Sequence, residues 1–304
     1  MVERKVFISE CKSRKNKIFI SILLAVLTIG IILFICCRIH RVELTKKLVD
    51  SIKKNNLSSV ELILKKNPEI VNTLGSHCPE IARSMDGIIY YPLQWACDCG
   101  NYEMVQLLVR YDADVNLGTP SPLVMTLKRT GNSDRFLIAE YLIENGANTV
   151  IISDEDEITP LAASLRLSEN ADENEKELSY MLFTHIVRAY ENAGYDIRDE
   201  KYDSYDNILS SAARNKNYSA VVFLLENEYY TLNSTNEIGQ NVLCATVSDP
   251  WRSNDMTNLV EYLLNIGADP YLKDAIGFSA YDYALKYEND MVAELFERCV
   301  IEES

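Results

Sequence analysis

The sequence predicts an all-α solenoid of about seven helix-turn-helix repeats, the first and last degenerate caps, behind one N-terminal transmembrane helix. Three observations carry that expectation. Residues 18–37, IFISILLAVLTIGIILFICC, run without a charge between Lys17 and Arg38. Residues 91–116, YPLQWACDCGNYEMVQLLVRYDADVN, read as one complete unit: Pro92 opens a helix, Gly100 and Asn101 turn the chain, residues 104–110 form a second helix, and residues 112–114 lead to a finger-like loop. The head of that unit recurs at Pro92, Pro122, Pro160, Ile208, Val242 and Ala280, at separations of 30, 38, 48, 34 and 38 residues. One such unit cannot bury its apolar face alone, so recurrence implies stacking.

In chain order, residues 1–17 form a basic tail with Arg4, Lys5, Lys12, Arg14, Lys15 and Lys17. At a rise of about 1.5 Å per residue the run 18–37 spans ~30 Å, the thickness of a bilayer core. A signal peptide carries a shorter apolar region of ~7–15 residues and small residues at a cleavage site. This run has neither feature. Six Lys or Arg precede it and four follow, at Arg38, Arg41, Lys46 and Lys47. That count leans toward a cytoplasmic N-terminus and an extracytoplasmic domain, with the cytoplasmic face as the alternative. Residues 38–43 are expected as a juxtamembrane linker.

Residues 44–298 hold the repeats and 299–304 a C-terminal tail. Residues 44–72 keep a helical stripe (Leu48, Ile52, Val60, Ile63, Leu64) around an Asn55-Asn56 turn but lack a Pro-Leu head, as suits a terminal repeat. A connector, residues 77–89, follows. In the second repeat Pro92 suits the first helical turn, where its missing amide has no helical partner. Leu93 and Ala96 share one face, and Val105, Leu107 and Leu108 supply the facing stripe. The third repeat starts at Ser121-Pro122-Leu123 and ends at Gly146-Ala147-Asn148; the fourth starts at Thr159-Pro160-Leu161 and ends at Gly194-Tyr195-Asp196. The fourth carries a polar insertion, residues 168–177 (SENADENEKE), expected as a solvated loop. The fifth uses Asn207-Ile208-Leu209 and Ala212-Ala213, and the sixth Asn241-Val242-Leu243 with a loop over 248–257. The seventh starts at Gly277, and its Lys286, Glu288, Asn289, Glu294 and Glu297 suit a polar cap.

The hexapeptide Tyr91-Pro92-Leu93-Gln94-Trp95-Ala96 resembles the TPLHxA signature of the ankyrin repeat family at its Pro, Leu and Ala positions. The chain departs from that family at the signature histidine, replaced in turn by Gln94, Val124, Ala162, Ser210, Cys244 and Asp282. The family uses that histidine for hydrogen bonds between neighbouring repeats. The resemblance implies a preformed groove that recognises a protein partner, with no cofactor and no small-molecule substrate. Membrane-anchored bacterial members of this architecture look similar to immunity proteins that neutralise a toxin; a non-inhibitory scaffold or adaptor is the alternative.

Composition excludes other classes. The net charge is −15, and residues 1–37 contribute +4, leaving −19 on the remainder. Nucleic acid is not expected as a partner, because phosphate backbones are bound mainly by Lys and Arg. Eight cysteines show no disulfide framework by spacing, and Cys97 and Cys244 fall at helix positions expected to be buried. His77 and Cys78 with Cys97 and Cys99 match zinc spacing poorly. The acidic run 154–157 lacks the pattern of a calcium loop. No nucleophile elbow or phosphate loop is present, so no metal site and no enzyme are expected.

What remains is a surface. Carrying the family's variable positions over repeat by repeat places Tyr90, Asp156, Ile158, Ile238, Gln240 and Phe278 at finger tips. It places Asp98, Lys128 with Arg129, Arg166, Arg214, Ser248 and Lys286 on the groove floor. Two readings of the basic floor stand: a cationic ladder that pairs with carboxylates of a partner, or long stems that cover helix surfaces among acidic neighbours.

Overall fold

In a computed structural model of the chain, the described residues are 2–74, 90–128, 134–150, 158–166, 172–199, 205–248 and 256–302, the side chains of 2–26 and 299–302 excepted. Every regular element among them is a helix. The chain divides into two units, residues 1–92 and 93–304.

The first unit is built on α1 (Val2–Lys53), followed by α2 (Leu57–Lys66) and a 3-10 turn (Pro68–Ile70). Residues 38–43, expected as a linker, continue α1 without a break. The reason lies in the sequence: no Gly or Pro occurs between Gly30 and Pro68, so nothing interrupts the helical hydrogen bonds. The chain turns at Asn55, which takes a positive φ of 53°, and the Asn56 side chain caps α2 by accepting from the Ser59 amide at 3.0 Å. Leu48, Val49 and Ile52 then meet Val60, Leu64 and Ile70 in a small core, none more than 2% exposed. Earlier on α1, Leu27, Ile31, Ile32, Leu33 and Phe34 are 54–67% exposed. Among the described residues no helix is long and apolar enough to cross a membrane. The side chains of 18–26, the first half of the predicted span, lie outside them.

The second unit is a two-layer stack of helix pairs: α3 (Pro92–Cys99) with α4 (Tyr102–Arg110), α5 (Pro122–Lys128) with α6 (Asp134–Glu144), and α7 (Pro160–Ser164) with α8 (Glu173–Asn192). These are followed by α9 (Ile208–Arg214) with α10 (Tyr218–Glu226), α11 (Val242–Val247) with α12 (Thr257–Asn265), and α13 (Ala280–Lys286) with α14 (Asp290–Glu302). First helices pack on first helices, as α5 on α7 and α9 on α11, and second on second, as α4 on α6 and α6 on α8. The first helices are too short to stand alone. They are held by caps, in which Thr159, Asn207, Asn241 and Ser279 each accept from the amide three residues on, and by burial of nearly every side chain in α5, α7 and α11.

The insertion expected as a loop is corrected in part. Residues 173–177 form the opening of the twenty-residue α8, capped where Asp172 accepts from the Glu175 amide at 2.8 Å. Acidic side chains favour a helix N-terminus, and Glu175 also neutralises Arg135, a buried guanidinium 3.2 Å away. The signature-histidine position still links repeats in two places. Gln94 Nε2 donates to the Pro120 carbonyl at 2.7 Å, and Cys244 Sγ lies 3.8 Å from the Leu272 carbonyl. Asn116 adds a third tie, donating to the Gly146 carbonyl and accepting from the Asn148 amide.

Candidate interaction surface

The two best-defined fingers precede α11 and α13, and they are copies of each other. Asn236-Glu237-Ile238-Gly239-Gln240 and Asp274-Ala275-Ile276-Gly277-Phe278 each fold back so that the first amide donates to the last carbonyl, at 3.0 and 2.8 Å. Asn236 Oδ1 accepts from the Gln240 amide, and Asp274 Oδ1 accepts from the Ile276 and Phe278 amides. Gly239 takes a φ of +75°, and a Cβ there would lie 2.7 Å from the Ala275 amide nitrogen, so only glycine fits. Neighbouring fingers are joined by backbone: the Glu237 amide donates to the Tyr205 carbonyl at 2.9 Å and the Ala275 amide to the Ile238 carbonyl at 3.4 Å. Three apolar tips result, with Tyr205 58% exposed, Ile238 half-buried and Ile276 70% exposed.

Beneath the tips a polar chain crosses three repeats. Arg214 Nε donates to Asp206 Oδ2 at 2.6 Å, Nη1 to Ser248 at 2.9 Å, and Nη2 to Gln240 Oε1. Gln240 Nε2 donates to the Tyr283 hydroxyl at 2.9 Å, which donates to Asp274 Oδ2 at 2.7 Å. Asn236 Nδ2 closes the other end on Asp206 Oδ1 at 2.7 Å. Burial, then the bond to Asp274, pushes the Tyr283 phenol up to about 12. Lys286 lies over the rings of Phe278, Tyr283 and Tyr287, 5.1–5.9 Å from their centroids.

The expected tip and floor residues separate accordingly. Ile238 and Phe278 are on the fingers and half-buried, Ile158 is half-buried, and Lys286 is exposed. Asp98, Lys128 and Arg166 are half-buried near the ends of their first helices, and the Arg166 carbonyl accepts from Arg135. Two expected tips are corrected: Gln240 is 3% and Tyr90 6% exposed. Gln240 turns inward because its amide offers the donor and the acceptor that Tyr283 and Arg214 need, and buried polar groups demand partners. At Arg214 the second reading of the basic floor applies, because its guanidinium is paired with Asp206. Arg129 and Asp156 lie outside the described residues, as do the 154–157 run and His77-Cys78. Among the described residues no group of three or more His, Cys, Asp or Glu could hold a metal ion. Burial pushes both the Cys97 and Cys244 thiols up to about 12, which leaves them poor nucleophiles at neutral pH.

Sequence reading missed Ile276 and Tyr205. The Ile-Gly doublets 238–239 and 276–277, thirty-eight residues apart, were the signal that marks Ile276 as the equivalent of Ile238. Charge separates the units as well. Residues 93–304 hold 37 Asp or Glu against 15 Lys or Arg, and residues 1–92 hold 15 Lys or Arg against 8 Asp or Glu.

The family model for the ankyrin repeat matches residues 89–117. Among solved structures, the human ASB11 ankyrin repeat domain matches with a TM-score of 0.55 at 17% identity, over 82% of this chain and 96% of that one. A structure of the Bd0816 predatory endopeptidase from Bdellovibrio bacteriovorus in complex with immunity protein Bd3460 gives a TM-score of 0.39 at 21% identity, over 83% and 97%. No curated protein matches the sequence.

Proposed function

We propose, from the premise that this chain belongs to the ankyrin repeat family, that it captures a protein partner on the linked finger tips of its second unit while α1 tethers it to a membrane. The observation that carries the reading is the row of apolar tips at Tyr205, Ile238 and Ile276, held by backbone bonds between fingers. An apolar row already held by backbone hydrogen bonds is a ready anchor, because ordering it on binding costs little entropy. The excess of carboxylates in residues 93–304, with Glu237 exposed beside Ile238, favours a partner with a basic rim around an apolar centre. The tether is supported by the exposed apolar side chains of α1.

Capture of this kind serves one of two ends. A toxin-neutralising role requires that the isolated second unit inhibit the captured protein; a scaffold leaves its activity unchanged. A photo-crosslinking residue placed at position 276 or 238 in cells is expected to trap one dominant protein, and the same probe at Leu137, exposed on α6, is expected not to. Equal trapping at Leu137, or none at the tips, would overturn the reading.

A further inference from the structure

We propose that the part of α1 just beyond its exposed apolar side chains is a binding site for anionic phospholipid headgroups, made by Arg38, Arg41, Lys46 and Lys47. The site rests on the membrane reading of α1 given above. All four side chains are exposed, and Glu43 is the single acid among residues 38–47. Among the described residues, Arg41, Lys46 and Lys47 take part in no ion pair.

The continuity of α1 decides which cations reach the lipid. Thr45, Leu48, Val49 and Ile52 are buried on one stripe. At about 100° per residue, from ~3.6 residues per turn, Lys46 and Lys47 face away from that stripe. Lys47 lies ten residues past Cys37, hence about 15 Å along the axis. Side chains on a helix lean toward its N-terminus, which here is back toward the apolar run, and a lysine stem can carry its ammonium further that way. That brings the Lys46 and Lys47 ammoniums close to the Debye length of ~10 Å, inside which headgroup charge is felt. Arg38 and Arg41 lie nearer still. Lys53, the last residue of α1, lies about 24 Å along the axis and Lys54 follows it in the turn, so both are screened. A flexible linker would have let all of them reach the surface; an unbroken helix separates them.

The test uses the full chain reconstituted in phosphatidylcholine bilayers, with a trace of spin-labelled phosphatidylglycerol or spin-labelled phosphatidylcholine and the motionally restricted fraction of each as readout. The wild type is expected to restrict phosphatidylglycerol severalfold more than phosphatidylcholine at an ionic strength of ~0.1 M, where the screening length is ~10 Å. The preference should fall to near unity in Arg38→Gln/Arg41→Gln/Lys46→Gln/Lys47→Gln and survive in Lys53→Gln/Lys54→Gln. Equal restriction of both lipids by the wild type would overturn the site and leave the tether standing. Equal loss in the two variants would also overturn it, since the charges would then act without regard to the helix. No restricted fraction for either lipid would overturn the tether, and the site with it.

Discussion

Arg214 illustrates how one residue ties repeats together. Its guanidinium meets the Asp206 carboxylate, whose side chain is 5% exposed, and hands the chain of bonds on through Gln240 to Tyr283. Removing one partner leaves a buried charge uncompensated, which costs more than the pair contributes. Arg214→Met is therefore expected to lower unfolding stability by about 2–4 kcal/mol, measured by urea denaturation. The double variant Arg214→Met/Asp206→Leu should recover much of that loss, because neither charge is then buried alone; a double variant as unstable as the sum of two singles would show that no coupling exists. Sequence alone read Arg214 as a basic floor residue. Its partner Asp206 lies outside the repeat signature, and nothing in spacing announces that the two meet.

At the scale of the element, the fingers show which turn chemistry is legible. Asn or Asp with Gly a few residues on signals a turn in any chain, and the folded-back fingers 236–240 and 274–278 form where those residues stand. The close approach of one finger to the next is not legible, because it depends on how two repeats stack. Gly239→Ala is expected to cost about 1–3 kcal/mol, from a positive φ and a Cβ forced against the Ala275 amide. Gly267→Ala shares the positive φ but meets open space, so it should cost less. Urea midpoints of the two variants, with hydrogen exchange at the Ala275 amide, check the difference. Equal midpoints and an unchanged amide would mean the fingers do not brace each other. Helix α8 carries the same lesson in the other direction: the composition of 168–177 suggested a loop, while Asp172 and Glu175 supply the cap and the Arg135 partner that let its second half be helical.

For the whole molecule, opposite charge in the two units and an exposed apolar stretch on α1 frame one open question, the side of the membrane on which residues 93–304 act. Protease added to cells with an opened outer barrier and a sealed plasma membrane is expected to digest that unit; protection would move the captured partner to the cytoplasm. The sequence by itself determined the helix pairs, their order and the family resemblance, because apolar periodicity, Pro at helix starts and Gly at turns act within a few residues of each other. It also marked Ile238 and Phe278 as finger residues. Only the tertiary structure decided that Gln240 turns inward, that Arg214 is already neutralised and that Ile276 is the most exposed tip. Those features depend on groups 8 to 43 residues apart, which the repeat pattern does not encode.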